Sequence, residues 1–482
     1  MNQETETILE KEKFDAYCLI LGFTGALGSG CTFLADGVKR KLESHGHYYR
    51  LSQFLEEEAD KDGIEKTVQN LQTLGDNLRL TYGNSILVKK CLDKIRLEDL
   101  EVPFSNDDDT VLLIDGIKNG GEVKYLRQFP NFYLISVHAD RHIRQERLVG
   151  ETASYRRFDN ETDFIIADKR DEQEDFVNGQ QIKRCNYLSD IIVDNSTSLP
   201  EVKVIDRDKF FNDFINNYIH PMRKVRKGEK AHDRPPKIEE TLMTMAYCAS
   251  KRSSCLKRQV GAIIACIRKI KDEYLNADCD RDERDPPFQV VSSGYNDIPA
   301  GTPCVFADWH GCYRDHLLQK HARVIKCCPN CGQVLPETIA CPHCGTQNGN
   351  RVLECPECGG DLLADYECQN QRCKYKVFSV CLPGEEAAPG NLLDMCRALH
   401  AEENAILGLS GVAKSGKGEL VLYTTTFPCN LCANKIIAAG IKTVYYAEPY
   451  TMKESKELLD KIGVDIKKFE GIKSIAYFRL YA

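Results

Sequence analysis

No apolar run in the 482 residues approaches the roughly 20 that a helix needs to cross a bilayer. A basic balance is also lacking: 64 Lys and Arg face 72 Asp and Glu, and the net charge of -8 gives no global field for nucleic acid or an anionic membrane. The first residues, MNQETETILEKEK, are acidic and polar, unlike a secretory signal. These absences set the expectation of a cytoplasmic chain with no membrane partner. Cysteine, by contrast, is abundant: there are 23, many in C-x-x-C pairs, which fits reduced, metal-bound thiols better than disulfides. A chain of this length is expected to hold two or three domains.

One more absence lies inside a motif. The stretch 24-TGALGSGCT-32 follows the apolar run YCLILGF and has the spacing of a phosphate-binding loop, but Cys31 stands where G-x-x-x-x-G-K-[ST] has its lysine. Lys39 and Lys41 lie on the following helix, roughly 12–15 Å away at about 1.5 Å per residue, too far to replace it. Without that charge phosphoryl transfer is poorly served, whereas backbone N–H groups can still bind phosphate. Gly25, Gly28, Ser29, Gly30, Cys31 and Thr32 are therefore candidate nucleotide-binding residues, with Asp115 of 110-TVLLIDGI-117 as a Walker-B-like acid. The favoured reading is a domain that binds or senses a regulatory nucleotide; kinase activity and a structural relic are the alternatives. Arg141, Arg144 and Arg147 read equally as lid residues or as a solvated helix face. Cys31 reads as a tolerated small residue ahead of a redox switch.

Four apolar strands alternate with helical segments before residue 220, which gives an α/β class with a parallel sheet. The polar stretch 220-HPMRKVRKGEKAHDRPPK-237 supplies a boundary. The division is a P-loop kinase-like domain at 1–220, a linker at 221–237 and a second domain at 238–482 with a cysteine-rich insertion at 310–395.

The strongest chemical signal is 400-HAE-402 with 428-PCNLC-432. His400, Cys429 and Cys432 are three ligand-type side chains, the number that leaves zinc one open position. Cys429 and Cys432 lie one turn apart at a helix start, where the helix N-terminus favours thiolate. Glu402 is close enough to move protons without serving as a ligand, the layout H-x-E…P-C-x-x-C of zinc nucleobase deaminases. Within the insertion, Cys328, Cys331, Cys341 and Cys344 group as one paired knuckle set, and Cys355, Cys358, Cys368 and Cys373 as a second. That spacing predicts two structural zinc ions in addition to the catalytic one. Metal binding worth roughly 10–16 kcal/mol would decide whether so short a segment folds.

Residues 240–305 and 396–450 resemble the deoxycytidylate deaminases of the cytidine deaminase superfamily, through MTMAYCASKRSSCLKRQVGAIIA, VVSSGYNDIPAGTPC and the HAE and PCNLC motifs. The resemblance implies a three-layer α/β/α deaminase domain carrying the zinc-ribbon insertion. It also implies zinc on His400, Cys429 and Cys432, with Glu402 as the catalytic acid/base. Asn296 would contact the substrate sugar and Arg258 would lie on the phosphate side. Asp297 stands where the family's G-Y-N-G motif ends in glycine. A homo-oligomer, often a hexamer, is expected by the same likeness. The whole architecture is similar to the bacterial anti-phage deoxycytidine nucleotide deaminases. It implies hydrolysis of dCTP, dCMP or both to the deoxyuridine nucleotide and ammonia, with the first domain tied to control. A regulatory RNA or protein partner is left unnamed by the sequence. Two alternatives stand beside this reading: a cytosine deaminase acting on RNA or single-stranded DNA, and a nucleotide-sensing scaffold without turnover.

Overall fold

Short apolar strands alternating with helices form a parallel sheet when each strand is covered on both faces, and the first half of the chain obeys that rule. The computed structural model describes residues 18–101, 110–150, 158–172, 178–196, 204–231, 236–255, 258–267, 288–299, 396–409, 418–448 and 453–481, with six short strand segments between 305 and 377. β1 (Cys18–Thr24) is buried along its full length and leads through the glycine loop into α1 (Cys31–Leu42). In chain order there follow β2 (Gly46–Arg50), α2 (Val68–Tyr82), β3 (Thr110–Asp115), β4 (Phe132–His138), α3 (Arg141–Leu148), α4 (Glu161–Glu172), α5 (Ile182–Leu188) and β5 (Ile191–Asp194). The five strands pair in parallel in the order β5-β4-β1-β3-β2. β1 is central, so the loop after it sits at the carboxyl edge between β3 and β4, where open α/β sheets hold ligands.

The second sheet is mixed. α6 (Ile238–Ser250), β6 (Gly261–Ile267), β7 (Phe288–Tyr295), α7 (Ala401–Leu407), β8 (Glu419–Thr426), α8 (Asn430–Ala438), β9 (Thr443–Glu448) and β10 (Asp465–Lys468) build it in the order β10-β9-β8-β6-β7. Period-two alternation divides its faces. Ile263 and Ala265 pack with Leu242, Met243 and Ala246 of α6, while Ala262 and Ile264 pack with Ala401 and Ala405 of α7 and Ile436 of α8. The result is a sheet with helices on both sides.

Two elements differ from the sequence reading. The stretch read as linker begins as helix: His220–Arg226 continues a helical path from Val204–Phe214, and Pro221 and Met222 are buried. Its apolar side packs on the first core, which outweighs the polar composition. The end of the chain also returns to the first sheet. β11 (Gly471–Ile472) pairs antiparallel with β5, and Ala476 and Leu480 of α9 (Ser474–Leu480) join the core under β1 and β4. A two-residue strand carries no periodicity from which this could be read. Of the predicted ribbon, the paired segments Thr338–Ala340 and Gln347–Gly349 flank 341-CPHC-344. The eight cysteines assigned to structural zinc lie outside the described residues.

Candidate functional site

β8 ends in Thr424, Thr425 and Thr426, and the chain then passes through Phe427 and Pro428 to Cys429, the N-cap of α8. His400 occupies the N-cap of α7. A 2.8 Å ion pair between Glu403 and Lys435 ties the two helices together. His400 Nδ1 therefore lies 3.2 Å from Cys429 Sγ and 3.3 Å from Cys432 Sγ, and the three donor atoms fall within 4.8 Å of one another. Among the described residues this is the one group of His, Cys, Asp and Glu side chains placed to hold a metal ion. One nitrogen and two sulfurs at this spacing suit tetrahedral zinc at about 2.0–2.3 Å from each.

Charge supports that fit. The Cys429 thiol is drawn far below its usual range, first by the hydrogen bond from Cys432 and then by His400. Cys432 is pushed up, first by its hydrogen bond to Cys429, then by burial and by the negative charges of Glu402 and Cys429 beside it. A dication in the gap removes that conflict. Cys429 also raises the His400 pKa through their hydrogen bond. Glu402 is 4% exposed, and burial raises its carboxyl pKa. Its Oε1 accepts from Thr424 Oγ1 at 3.2 Å, and its Oε2 lies 3.5 Å from Cys432 Sγ. A buried carboxyl fixed beside metal-type donors is arranged to take up and return a proton.

The predicted substrate residues form a brace next to this centre. Asn296 Oδ1 accepts from Val260 N at 2.7 Å, and its Nδ2 donates to Arg258 O at 2.8 Å. The next residue, Asp297, exchanges two backbone hydrogen bonds with Leu399, immediately before His400. Arg258 pairs with Glu448 at 2.6 Å, and Glu448 also accepts from Tyr247 OH at 2.9 Å. Glu448 O in turn accepts from Phe427 N, two residues before Cys429.

The glycine loop is built from backbone conformations that favour glycine. Gly28 and Gly30 have φ of 78° and 100°, and a Cβ on Gly30 would meet Asn195 Nδ2 at 2.1 Å. Gly25 is as tightly confined, against Ser29 Oγ and Val137 O. Thr32 Oγ1 donates to Asp115 Oδ2 at 2.6 Å, as expected of a loop threonine and a strand-end acid, and Tyr48 OH donates to the same oxygen. Burial foremost, then the Asp115 charge, pushes the Cys31 pKa up to about 12, so it is held as a thiol. Arg144 and Arg147 are each 6% exposed, which excludes the solvated-face reading for both. Arg144 donates to Leu27 O and Asp168, while Arg147 donates to Gly28 O and Asn195 O. They clamp the loop from its carbonyl side. Arg141 is the exposed member of the series.

Sequence reasoning missed one lysine. Lys118 lies three residues beyond Asp115; burial raises the pKa of both Cys31 and Asp115, and the Lys118 charge opposes that rise at each. It pairs with Asp171 of α4, whose other oxygen accepts from Leu27 N in the loop at 3.1 Å. A carboxylate of the chain thus sits between a loop amide and an ammonium. The signal for it in the sequence is a lysine just past the strand-end acid, away from the helix that carries Lys39 and Lys41.

Comparison with known proteins bears on both halves of the chain. Residues 288–448 match the cytidine and deoxycytidylate deaminase zinc-binding region. A probable deoxycytidylate deaminase of Drosophila melanogaster is 47% identical over 75 residues, 14% of this chain and 36% of the relative. The deoxycytidylate deaminase of Schizosaccharomyces pombe is 25% identical over 261 residues, 54% of this chain and 52% of the relative. The chain thus spans between about a third and a half of these two deaminases. A UPF0200 protein of Methanococcus maripaludis is 28% identical over 210 residues, 43% of this chain and 97% of the relative. The dCMP deaminase of cyanophage S-TIM5, solved with dCMP and dUMP, aligns over 49% of this chain and 99% of its own, at 18% identity and a TM-score of 0.24. What the chain shares with the deaminases is the cytidine and deoxycytidylate deaminase zinc-binding region, and His400, Cys429 and Cys432 lie within its limits.

Proposed function

We propose that the chain is a zinc-dependent deaminase of free deoxycytidine nucleotides, releasing ammonia and the deoxyuridine nucleotide. The observation that carries this reading is the convergence of His400, Cys429 and Cys432 beside the buried carboxyl of Glu402. His400, Cys429 and Cys432 would hold zinc, which supplies a Lewis acid that makes water a nucleophile near neutral pH. Glu402 would take one proton of the attacking water and pass it to N3 of the cytosine ring, then take the second from the new C4 hydroxyl as the carbonyl forms and pass it to the amine, which leaves as ammonia. Thr424 holds one oxygen of that carboxyl in place, so the proton-carrying geometry is set before substrate enters. Asn296 and Arg258 stand on the substrate side, with the strand β7 and the loop before β6 fixing their backbone.

The test is ammonia release from the zinc-loaded full chain offered dCMP, dCTP or a cytosine-containing oligonucleotide. Turnover of a free nucleotide supports the proposal. Turnover of the oligonucleotide alone overturns it in favour of nucleic-acid deamination, and saturating zinc without any turnover favours a scaffold. Chelation is expected to abolish activity and added zinc to restore it.

The glycine loop is read as the site of a regulatory nucleotide, supported by Thr32, Asp115 and the conformations of Gly28 and Gly30. Direct titration with dTTP or ATP tests it, and an absence of binding to folded protein would end that reading. Depletion of the deoxycytidine nucleotide pool during viral infection is the proposed role, supported by the likeness of architecture. Protection of a host expressing the chain, and its loss with Glu402→Ala, is the check. Self-association is proposed on the same likeness and is tested by mass measurement in solution.

A further inference from the structure

A small cavity lies where the two sheets meet. Ser29 of the glycine loop, His138 at the end of β4, Arg144 of α3 and Lys183 of α5 line it from the first half, and Arg258 and Glu448 close it from the second. Its volume of about 50 Å³ is several times the roughly 10–15 Å³ that one water requires, the size class of a phosphate group.

Its charge is arranged as matched pairs. Lys183 binds Glu172 at 3.2 Å, Arg258 binds Glu448 at 2.6 Å, and Arg144 binds Asp168. Three cations therefore converge on one cavity, and two of their carboxylate partners, Glu172 and Glu448, are themselves wall residues. Burial holds His138 neutral, and its Nε2 meets Ser136 Oγ at 3.1 Å. A phosphate offers the cations what the internal carboxylates now provide, with more acceptor oxygens.

The Arg258–Glu448 pair also touches both sides of the metal centre. Arg258 O is held by Asn296, whose neighbour Asp297 is paired to Leu399 before His400. Glu448 O holds Phe427 N before Cys429. A change in this pair reaches the His400 side through two hydrogen-bonded links, Asn296 to Arg258 O and Asp297 to Leu399, and the Cys429 side through one, Phe427 N to Glu448 O, each followed by a short run of backbone.

We propose that this cavity is an anion site for a terminal phosphate of a nucleotide held on the glycine loop, and that the phosphate competes with Glu448 for Arg258. The cavity is then the place where occupancy of the loop is transmitted to the deaminase centre. This rests on the reading of the loop as a nucleotide site.

The experiment uses the full zinc-loaded chain with inorganic tripolyphosphate and dTTP as probes. Affinity is read by calorimetry, and hydrogen exchange is followed at the Val260 and Phe427 amides. Lys183 is partly exposed, so Lys183→Glu leaves the core untouched; Thr32→Val tests the loop separately. Expected results are a several-fold change in exchange at both amides on binding, at least tenfold weaker binding in Lys183→Glu, and tighter binding in Glu448→Gln. Binding that weakens in Thr32→Val but is unchanged in Lys183→Glu, with both amides unmoved, overturns the cavity proposal and leaves the loop reading intact. Failure of wild type to bind either probe overturns the loop reading, and the cavity proposal with it. An effect confined to the KM for dCTP in Lys183→Glu, with no second binding event, overturns it in favour of the substrate's own phosphates.

Discussion

In the proposed reaction Glu402 carries the proton, because its buried carboxyl lies 3.5 Å from Cys432 Sγ without belonging to the three-donor group. Glu402→Ala should keep fold and zinc content and lower kcat by about 10²–10⁴-fold, the usual size of a general acid–base contribution. Metal analysis beside steady-state kinetics checks this, and near wild-type turnover would remove Glu402 as the proton carrier. At the glycine loop the residue of interest is Asp171 of α4, which the loop amide of Leu27 contacts. Its carboxylate already holds Leu27 N and Lys118, the groups an incoming phosphate would seek. Asp171→Asn keeps the shape and removes the charge, so polyphosphate should bind about tenfold more tightly. Unchanged affinity in a calorimetric titration would mean that Asp171 is only a structural partner. The two residues were unequally legible in the sequence. Glu402 lies inside a motif whose spacing already states its geometry, whereas Asp171 and Lys118 meet across 53 positions through α4, which packs against α3 and α5.

At the scale of elements, the centre depends on how closely helices lie against strands. α7 rests on β7 backbone to backbone: a Cβ on Gly294 would come within 2.2 Å of Ala401 O and 2.4 Å of Ala405 N. Gly294→Ala should therefore push α7 outward and destabilise the fold by roughly 1–3 kcal/mol, as overpacking does. Because His400 caps that helix, zinc affinity should fall as well. Calorimetric Tm and zinc per chain read the two effects, and a variant with both unchanged would show that α7 has slack. Sequence patterning located β1, β3, β4 and β5, the four apolar strands before residue 220, because each carries a buried apolar run. It missed β2, where GHYYR lies at the sheet edge and four of its five residues are only half-buried. An edge strand lacks the apolar run that burial on both faces imposes.

Across the whole molecule, Lys473 is a fully buried charge that joins the halves. It lies just after β11 and is fully buried, and its Nζ donates to Asn186 O, Tyr187 O and Tyr247 OH. Asn186 and Tyr187 belong to α5 of the first half and Tyr247 to α6 of the second, where it also holds Glu448. Burial foremost lowers the Lys473 pKa to about 8, against the attraction of Glu448 and Asp190. An unfolded lysine titrates near 10.4. Between about pH 8 and 10 the unfolded chain therefore binds more protons at this position than the folded one, and stability must rise with pH across that window. Below pH 8 both states carry the charge and the dependence vanishes. In Lys473→Met this titration is absent, so the stability of wild type relative to the variant should grow by about 2 kcal/mol from pH 7.5 to 10. Denaturant unfolding at a series of pH values measures it. A difference that stays flat would mean that Lys473 is solvated in the folded state and that the two halves do not close over it.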